Sequence, residues 1–366
     1  MSVRQIYTAN RIFTGREWLE GMAIVISNGR IAELLPVREL DAAAIEHLGD
    51  TMLVPAFIDI QLYGAGGKLF SVFPEPGSLR SLAEHNLLGG TTLCLPTMAT
   101  NELSVFRAGI DAIRQYWDQG GEGIYGIHLE GPWINPVRKG VHQEKYIHVP
   151  SLQEVKELTA YGEGVIRMIT LAPEVCSDEV IGHLVTSGIK LSAGHSNATY
   201  AEALHGFNKG IRLATHLYNA MSPLQHREPG LAGAVMDDQR VMASIIPDGI
   251  HVDFAAIRIA KKAMGERLFV ITDAVTDTDV GDYQHIFAGD KYEAGGILSG
   301  SALTMSNAFA NLVQKAGIDL GEAIRMCSLY PARAIGIDHE RGLLAIGYKA
   351  EMALLNNSGE FIKLIN

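Results

Sequence analysis

The feature that most constrains this chain is the recurrence, roughly every 25 to 40 residues, of short apolar runs separated by stretches of helical character. The runs are Leu53 to Ile60, Thr91 to Leu95, Ile124 to Leu129, Ile166 to Leu171, Ile189 to Ala193, Leu213 to Leu217, Val241 to Ile246 and Leu268 to Thr272. Segments such as 101 to 116 and 152 to 160 carry the helical pattern between them. Alternating strand and helix implies parallel pairing, and eight such strands fit a closed (β/α)8 TIM-like barrel of the α/β class. An open doubly wound sheet would need a phosphate-binding glycine fingerprint after its first strand. Gly64-Ala65-Gly66-Gly67 matches that only loosely.

The two ends of the chain read differently. Ile24-Val25-Ile26, the turn Asn28-Gly29 and then Ile31 to Leu35 describe a β-hairpin with an N-G turn. Near the C-terminus, Gly347-Tyr348-Lys349-Ala350 leads into the run Met352-Ala353-Leu354-Leu355. The termini are therefore expected to build a small β-sandwich domain from residues 1–51 plus 340–366, with the barrel occupying 52–339.

Composition serves to exclude partners. The 366 residues carry a formal net charge of -11 and no Lys/Arg run, which argues against nucleic acid, because a phosphate backbone needs a basic face. An anionic substrate would need a local cationic pocket. Cys94, Cys176 and Cys327 are odd in number, far apart and without C-x-x-C spacing, as expected in a reducing compartment. The start, MSVRQIYTAN, lacks an apolar signal core, and no apolar stretch approaches the ~20 residues needed to cross a bilayer. A cytoplasmic location without membrane partners is the expectation.

In a barrel of this kind the C-terminal edges of the strands form the active face. Here those edges carry polar groups. Strand three ends His128-Leu129-Glu130-Gly131-Pro132, strand five Ser192-Ala193-Gly194-His195-Ser196, strand six Ala214-Thr215-His216-Leu217-Tyr218-Asn219, and strand eight Ile271-Thr272-Asp273-Ala274. On a common ring, Glu130, His195 and His216 put one carboxylate and two imidazoles into the same mouth. Such a trio suits a catalytic zinc site with a fourth position left for water, whose pKa the metal lowers. Asp273 stands where it could take a proton from that water and return it to a departing amine. One histidine after one strand is more often a hydrogen-bonded core or surface residue, and it is the joint occurrence that points to a site. His128, two residues before Glu130, reads either as a ligand or as support for one. His85, His183, His205 and His285 read as structural or exposed residues without partners.

Several segments then resemble the N-acetylglucosamine-6-phosphate deacetylase family of the amidohydrolase superfamily. They are HLEGPWINPVRKGVH (128–142), SAGHSNAT (192–199), ATHLYNAMSP (214–223), REPGLAG (227–233), IIPDGIHV (245–252), VITDAV (270–275), LSGSALTM (298–305) and LYPARAIG (329–336). The likeness runs along nearly the whole chain. It implies metal-dependent removal of the acetyl group from an N-acetylated amino-sugar phosphate, with Glu130, His195 and His216 as ligands of one divalent ion, Zn2+ by preference. It further implies that Asp273 is the proton donor and acceptor, and that His142, beside Val141, bonds the acetyl carbonyl. By the same resemblance Asn219 and Ala220 bind substrate, Arg227 holds the phosphate, and Asp248, Gly249, Ile250, His251, Leu298, Ser299 and Gly300 complete the sugar site. A homodimer is implied, with Arg227 and His251 serving the neighbouring subunit.

Two departures qualify this expectation. Many amidohydrolases carry an H-x-H pair at the end of strand one that binds a second metal; here the positions are Gln61 and Tyr63, weak zinc ligands beside imidazole. One metal is therefore expected, with Tyr63 narrowing the mouth. Strand four ends Ala172-Pro173-Glu174 without the lysine that bridges two metals in dihydroorotase- or hydantoinase-like sites. A deacetylase of the galacto epimer or of an N-acyl amino acid, and a barrel that has lost its metal and merely binds, remain the alternatives.

Overall fold

The computed structural model describes residues 4–365, and in it the eight apolar runs become the strands of one sheet. These are β1 (Phe57–Leu62), β2 (Thr91–Ala99), β3 (Ile127–Glu130), β4 (Ile166–Leu171), β5 (Lys190–Ala193), β6 (Leu213–Ala214), β7 (Met242–Ile245) and β8 (Leu268–Val270). They lie in sequential order, and each neighbouring pair from β2 to β8 is parallel. The ring closes between β8 and β1, where Asp273 N donates to Gln61 O at 2.9 Å and Tyr63 N to Ala274 O at 2.8 Å. This is the expected (β/α)8 TIM-like barrel. Two strands are shorter than their apolar runs. β3 starts at Ile127 because Gly126, at φ 152°, breaks the line from Ile124. β6 pairs over only two residues because His216 turns out of the sheet and gives its N–H to Ser244 Oγ at 2.8 Å.

The barrel interior below its mouth is polar yet satisfied. Thr170 Oγ1 lies 2.7 Å from both His128 Nε2 and Thr215 Oγ1, and Ser192 Oγ lies 2.6 Å from Thr215 Oγ1. His128 Nδ1 faces Thr97 Oγ1 at 3.3 Å. A buried network in which every member finds a partner holds one geometry, and it gives the residues above it a rigid floor.

The chain divides into two compact units, one made of Asp59–His85 and Leu93–Thr304, the other of the N-terminal segment to Ile58, Asn86–Thr92 and the segment from Met305 on. The second unit contains two sheets of its own. In one, Met22–Ser27 pairs with Arg30–Pro36 through a two-residue turn in which Ser27 faces Arg30, while Asn28 and Gly29 take φ 54° and 69°; Asn and Gly supply the left-handed conformations such a turn requires. In the other, Met352–Leu355 lies between Phe361–Ile365 and Met52–Pro55. Ile12, Ile24, Ile31, Leu53, Leu344 and Met352 share one buried cluster, so both chain ends contribute to a common core.

Unforeseen in the sequence is a three-stranded antiparallel sheet, Ile286–Phe287, Lys291–Ala294 and Ile297–Ser301, inserted after β8. Its strands are short and interrupted by glycines, so no strong alternation announces them.

Candidate active site

Each functional group stands where the chain turns off a barrel strand. Glu130 ends β3, while His195 and His216 follow β5 and β6. His195, His216 and Asp273 take φ values of 46°, 35° and 56°, and Tyr218 and Ala220 take 79° and 49°. Left-handed backbone is costly for a residue with a Cβ. Among described non-glycine residues only the turn residue Asn28 shares it, so the strain collects at the mouth of the barrel.

Glu130, His195 and His216 are buried, and their donor atoms lie within 4.8 Å of one another. His216 Nε2 is 3.1 Å and His195 Nε2 3.3 Å from Glu130 Oε1, and the two Nε2 atoms are 3.1 Å apart. The far nitrogen of each ring sets its tautomer: His195 Nδ1 donates to Arg138 O at 2.9 Å and His216 Nδ1 to Asn219 O at 3.1 Å. In the neutral rings both Nε2 lone pairs then converge on each other and on a carboxylate, an arrangement that repels unless positive charge lies between them. The titration behaviour follows the same field. Burial pulls the His216 imidazole down, but the hydrogen bond and charge of Glu130, with the charge of Asp273, raise it above its ordinary value. Burial pushes Glu130 up, yet the charge of His195 and hydrogen bonds from His142, His195 and His216 hold it well below the usual carboxylate range. One carboxylate and two imidazoles with bare Nε2 atoms make a donor set for a divalent cation, and the residues present fit such an ion.

Asp273 is fixed beside this cluster by its backbone, whose carbonyl accepts from Ser301 N at 3.0 Å. Gln61 Nε2 lies 2.8 Å from Asp273 Oδ1 and 2.9 Å from Glu130 Oε1, and the Tyr63 hydroxyl donates to Glu130 Oε2 at 2.5 Å. The two positions that lack the H-x-H histidines thus bridge the ligand carboxylate to the free aspartate. Burial is the main cause that raises the Asp273 pKa, opposed by the charge of His216 and reinforced by that of Glu130. No described residue hydrogen-bonds Oδ2, which leaves that oxygen available for proton exchange.

The proton on His142 is also located by its partners. His142 Nε2 lies 3.2 Å from Glu130 Oε2, a carboxylate oxygen that accepts, while Nδ1 lies 2.8 Å from Thr100 Oγ1 and 3.3 Å from Thr100 N, whose N–H donates to it; a hydrogen on Nε2 satisfies all three contacts. That N–H is a donor facing the cluster, suited to an oxygen that gains negative charge there.

A cavity of about 210 Å³ opens over these groups. Val141, Asn219, Ala220, Leu298, Ser299 and Gly300 line it together with the trio, His142, His251 and Asp273. Asn219 Nδ2 is buried there without a hydrogen-bond partner, a donor that a ligand acceptor would satisfy. Asp248, Gly249 and Ile250 do not line the cavity. Asp248 instead holds His251, with Oδ2 2.5 Å from its Nδ1 and Oδ1 accepting from the N–H groups of Ile250 and His251 at 2.8 Å. His251 faces the cavity of its own chain, whereas Arg227 is exposed and outside it.

Four histidines need correction or decision. His128 uses both ring nitrogens on Thr97 and Thr170 and supports the barrel floor rather than any cation. His183 and His205, expected to lack partners, bond Thr159 Oγ1 at 2.9 Å and Asp178 Oδ1 at 2.7 Å. His285, expected likewise, is buried in the cavity wall with Nδ1 3.0 Å from Ser299 Oγ. These partners sit on other elements, so no local pattern in the sequence signals them. Tyr283 is a further wall residue that the sequence reading did not single out.

Comparison with known proteins agrees with this geometry. The profile of the Amidohydrolase family matches residues 52–365, and that of the NagA composite domain residues 6–48. The N-acetylglucosamine-6-phosphate deacetylase of Haemophilus influenzae is 36% identical over 364 residues, covering 96% of this chain and 95% of its own. The N-acetylgalactosamine-6-phosphate deacetylase of Escherichia coli O157:H7 is 32% identical over 363 residues, with coverage of 96% and 95%. Among solved structures, the N-acetylglucosamine-6-phosphate deacetylase from Pasteurella multocida has a TM-score of 0.94 at 35% identity, covering 99% of this chain and 98% of that one. With this match along almost its entire length, the chain belongs to the amidohydrolase family, in the branch that holds the N-acetylglucosamine-6-phosphate and N-acetylgalactosamine-6-phosphate deacetylases.

Proposed function

We propose that this enzyme hydrolyses the acetamide of N-acetyl-D-glucosamine 6-phosphate to D-glucosamine 6-phosphate and acetate. The observation that carries the reading is the convergence of Glu130, His195 and His216 within 4.8 Å, beside a free buried aspartate and under one cavity. Those three residues would hold one divalent ion, zinc by the nature of the donors, because Gln61 and Tyr63 fill the place of a second. When bound, the ion supplies Lewis-acid polarisation of the amide and a lowered pKa for the attacking water. Asp273 takes the proton of that water through Oδ2, and the burial that raises its pKa favours the protonated form it then holds. His142 donates from Nε2 to the carbonyl oxygen as negative charge gathers there. When the tetrahedral intermediate collapses, the C–N bond breaks and Asp273 hands its proton to the nitrogen, which leaves as an amine rather than an anion.

Arg227 is exposed and outside its own cavity, as suits a phosphate anchor lent to a neighbouring copy in a homodimer. No helix among the described residues is long and apolar enough to cross a membrane; the three dispersed cysteines, without C-x-x-C spacing, are in keeping with a cytoplasmic enzyme. The relatives named for the galacto epimer, 32% and 33% identical, support N-acetylgalactosamine 6-phosphate as the second candidate substrate.

Acetate release from both epimers, before and after chelation and after zinc is restored, tests the reading. Release from the gluco epimer that chelation abolishes and zinc recovers is the expected result. Absence of release from either phosphorylated sugar, or indifference to chelation, would overturn it.

A further inference from the structure

The groups assigned above handle the acetamide, and the cavity wall continues beyond them through two aromatic side chains. The Tyr283 ring meets His142 edge-on at 6.3 Å between centroids and 82°, and His285 stacks against Tyr283 at 6.4 Å and 13°. His285 thus continues the aromatic wall of the same cavity from Tyr283, away from the ring pair that links Tyr283 to His142. The Tyr283 hydroxyl is committed, donating to Thr100 O at 2.5 Å. His285 is not fully committed. Its Nδ1 is 3.0 Å from Ser299 Oγ, and Nε2 has no hydrogen-bond partner among the described residues.

Both His285 and Ser299 line the cavity although they are only 5% and 3% exposed. Burial holds the His285 pKa down to about 4, so the ring is uncharged at neutral pH. An uncharged imidazole nitrogen is a partner for a hydroxyl, whereas a phosphate calls for a cation. The pair is also rigidly placed. Gly300, at φ 105°, has no room for a Cβ, which would meet Val275 Cγ1 at 2.6 Å. Ser301 N bonds Asp273 O at 3.0 Å. The segment that holds His285 is thus tied to the backbone of the catalytic aspartate.

We infer that His285, oriented by Ser299, contacts a ring hydroxyl of the bound amino sugar and sets the preference between the gluco and galacto epimers, which differ in the direction of one hydroxyl. The inference rests on the substrate being an N-acetylhexosamine 6-phosphate. A site built to bond a hydroxyl rejects a sugar that leaves its buried polar group unpaired, and loss of one such contact is worth about 10- to 100-fold in kcat/KM.

The test measures kcat/KM for N-acetylglucosamine 6-phosphate and N-acetylgalactosamine 6-phosphate, with bound metal quantified, in the wild-type holoenzyme, His285→Phe, His285→Gln and Ser299→Ala. The expected result is a change of about tenfold or more in the ratio of the two values for His285→Phe. Metal content stays unchanged, His285→Gln keeps a ratio nearer the wild type, and Ser299→Ala shifts it in the same direction as His285→Phe. A smaller change in His285→Phe at full metal content overturns the inference. Should that variant lose metal, the Ser299→Ala ratio decides, and an unchanged ratio overturns it. Wild-type enzyme inactive on both epimers refutes the substrate reading instead, which separates the two failures.

Discussion

The Thr272 hydroxyl lies 2.5 Å from Asp59 Oδ2 and so ties the exit of β8, one residue before Asp273, to β1. Asp59 Oδ1 also accepts from the N–H groups of Thr272 at 3.3 Å and Gln61 at 3.2 Å. Burial pushes the Asp59 carboxyl up to about 7 in spite of these bonds. A folded-state value above the unfolded one means that this acid's stabilising contribution is full below the ordinary carboxylate pKa and is lost as pH rises through about 7. The unfolding free energy of wild type minus that of Asp59→Asn is therefore expected to shrink between pH 4 and 7. Urea titrations at several pH values measure it, and a pH-independent difference would contradict the assignment.

Asp273→Asn preserves the shape of the side chain but not its basicity. Turnover is expected to fall by about 10²- to 10⁴-fold while metal content stays at the wild-type level. Metal analysis and acetate-release kinetics on the same preparation check this. A variant that keeps more than about a tenth of wild-type kcat would remove Asp273 from proton transfer.

Tyr63 reaches Glu130 Oε2 at 2.5 Å, and burial together with the charges of Asp273 and Glu130 keeps its hydroxyl protonated. A donor that orients a ligand carboxylate typically supports metal affinity by about 10- to 100-fold. Tyr63→Phe should weaken metal binding by that order, read by competition with a chelator. Unaltered affinity would show that Gln61 alone suffices to orient Glu130.

At Gly300 a Cβ would also approach Asp273 O at 3.0 Å, on a backbone of φ 105°. Gly300→Ala is expected to destabilise the fold by about 1–3 kcal/mol and to lower kcat/KM by displacing Asp273. Thermal denaturation paired with kinetics tests this; wild-type values for both would mean the segment yields without cost.

Arg227→Gln should raise KM for the phosphorylated sugar about tenfold or more and leave the unphosphorylated one nearly unaffected. If the arginine serves a neighbouring copy, mixing Arg227→Gln with Asp273→Asn subunits restores activity above either variant alone. Absence of complementation in confirmed mixed dimers would place the anchor elsewhere.

The parts of this molecule that were legible in the chain are those set by local chemistry. Period and length announced the eight barrel strands, and Asn28-Gly29 announced its turn because few other residues adopt two successive positive φ values. Residue type at strand ends singled out Glu130, His195, His216 and Asp273, since strand C-termini of a barrel share one face. The short sheet at 286–301 escaped because its strands carry no sustained alternation.

Partnership across the chain was another matter. Gln61 meets Glu130 across 69 residues and Asp273 across 212, and the sequence showed those positions only as a missing pair of histidines. His285 looked idle until the fold set it against Ser299 and into the cavity wall. By itself the sequence determined the strands, the turn and the kinds of group at the barrel mouth, because each depends on neighbours a few residues away. Only the tertiary structure decided which nitrogen carries a proton, which oxygen is free and which wall faces a ligand, because those follow from contacts between segments that are remote along the chain.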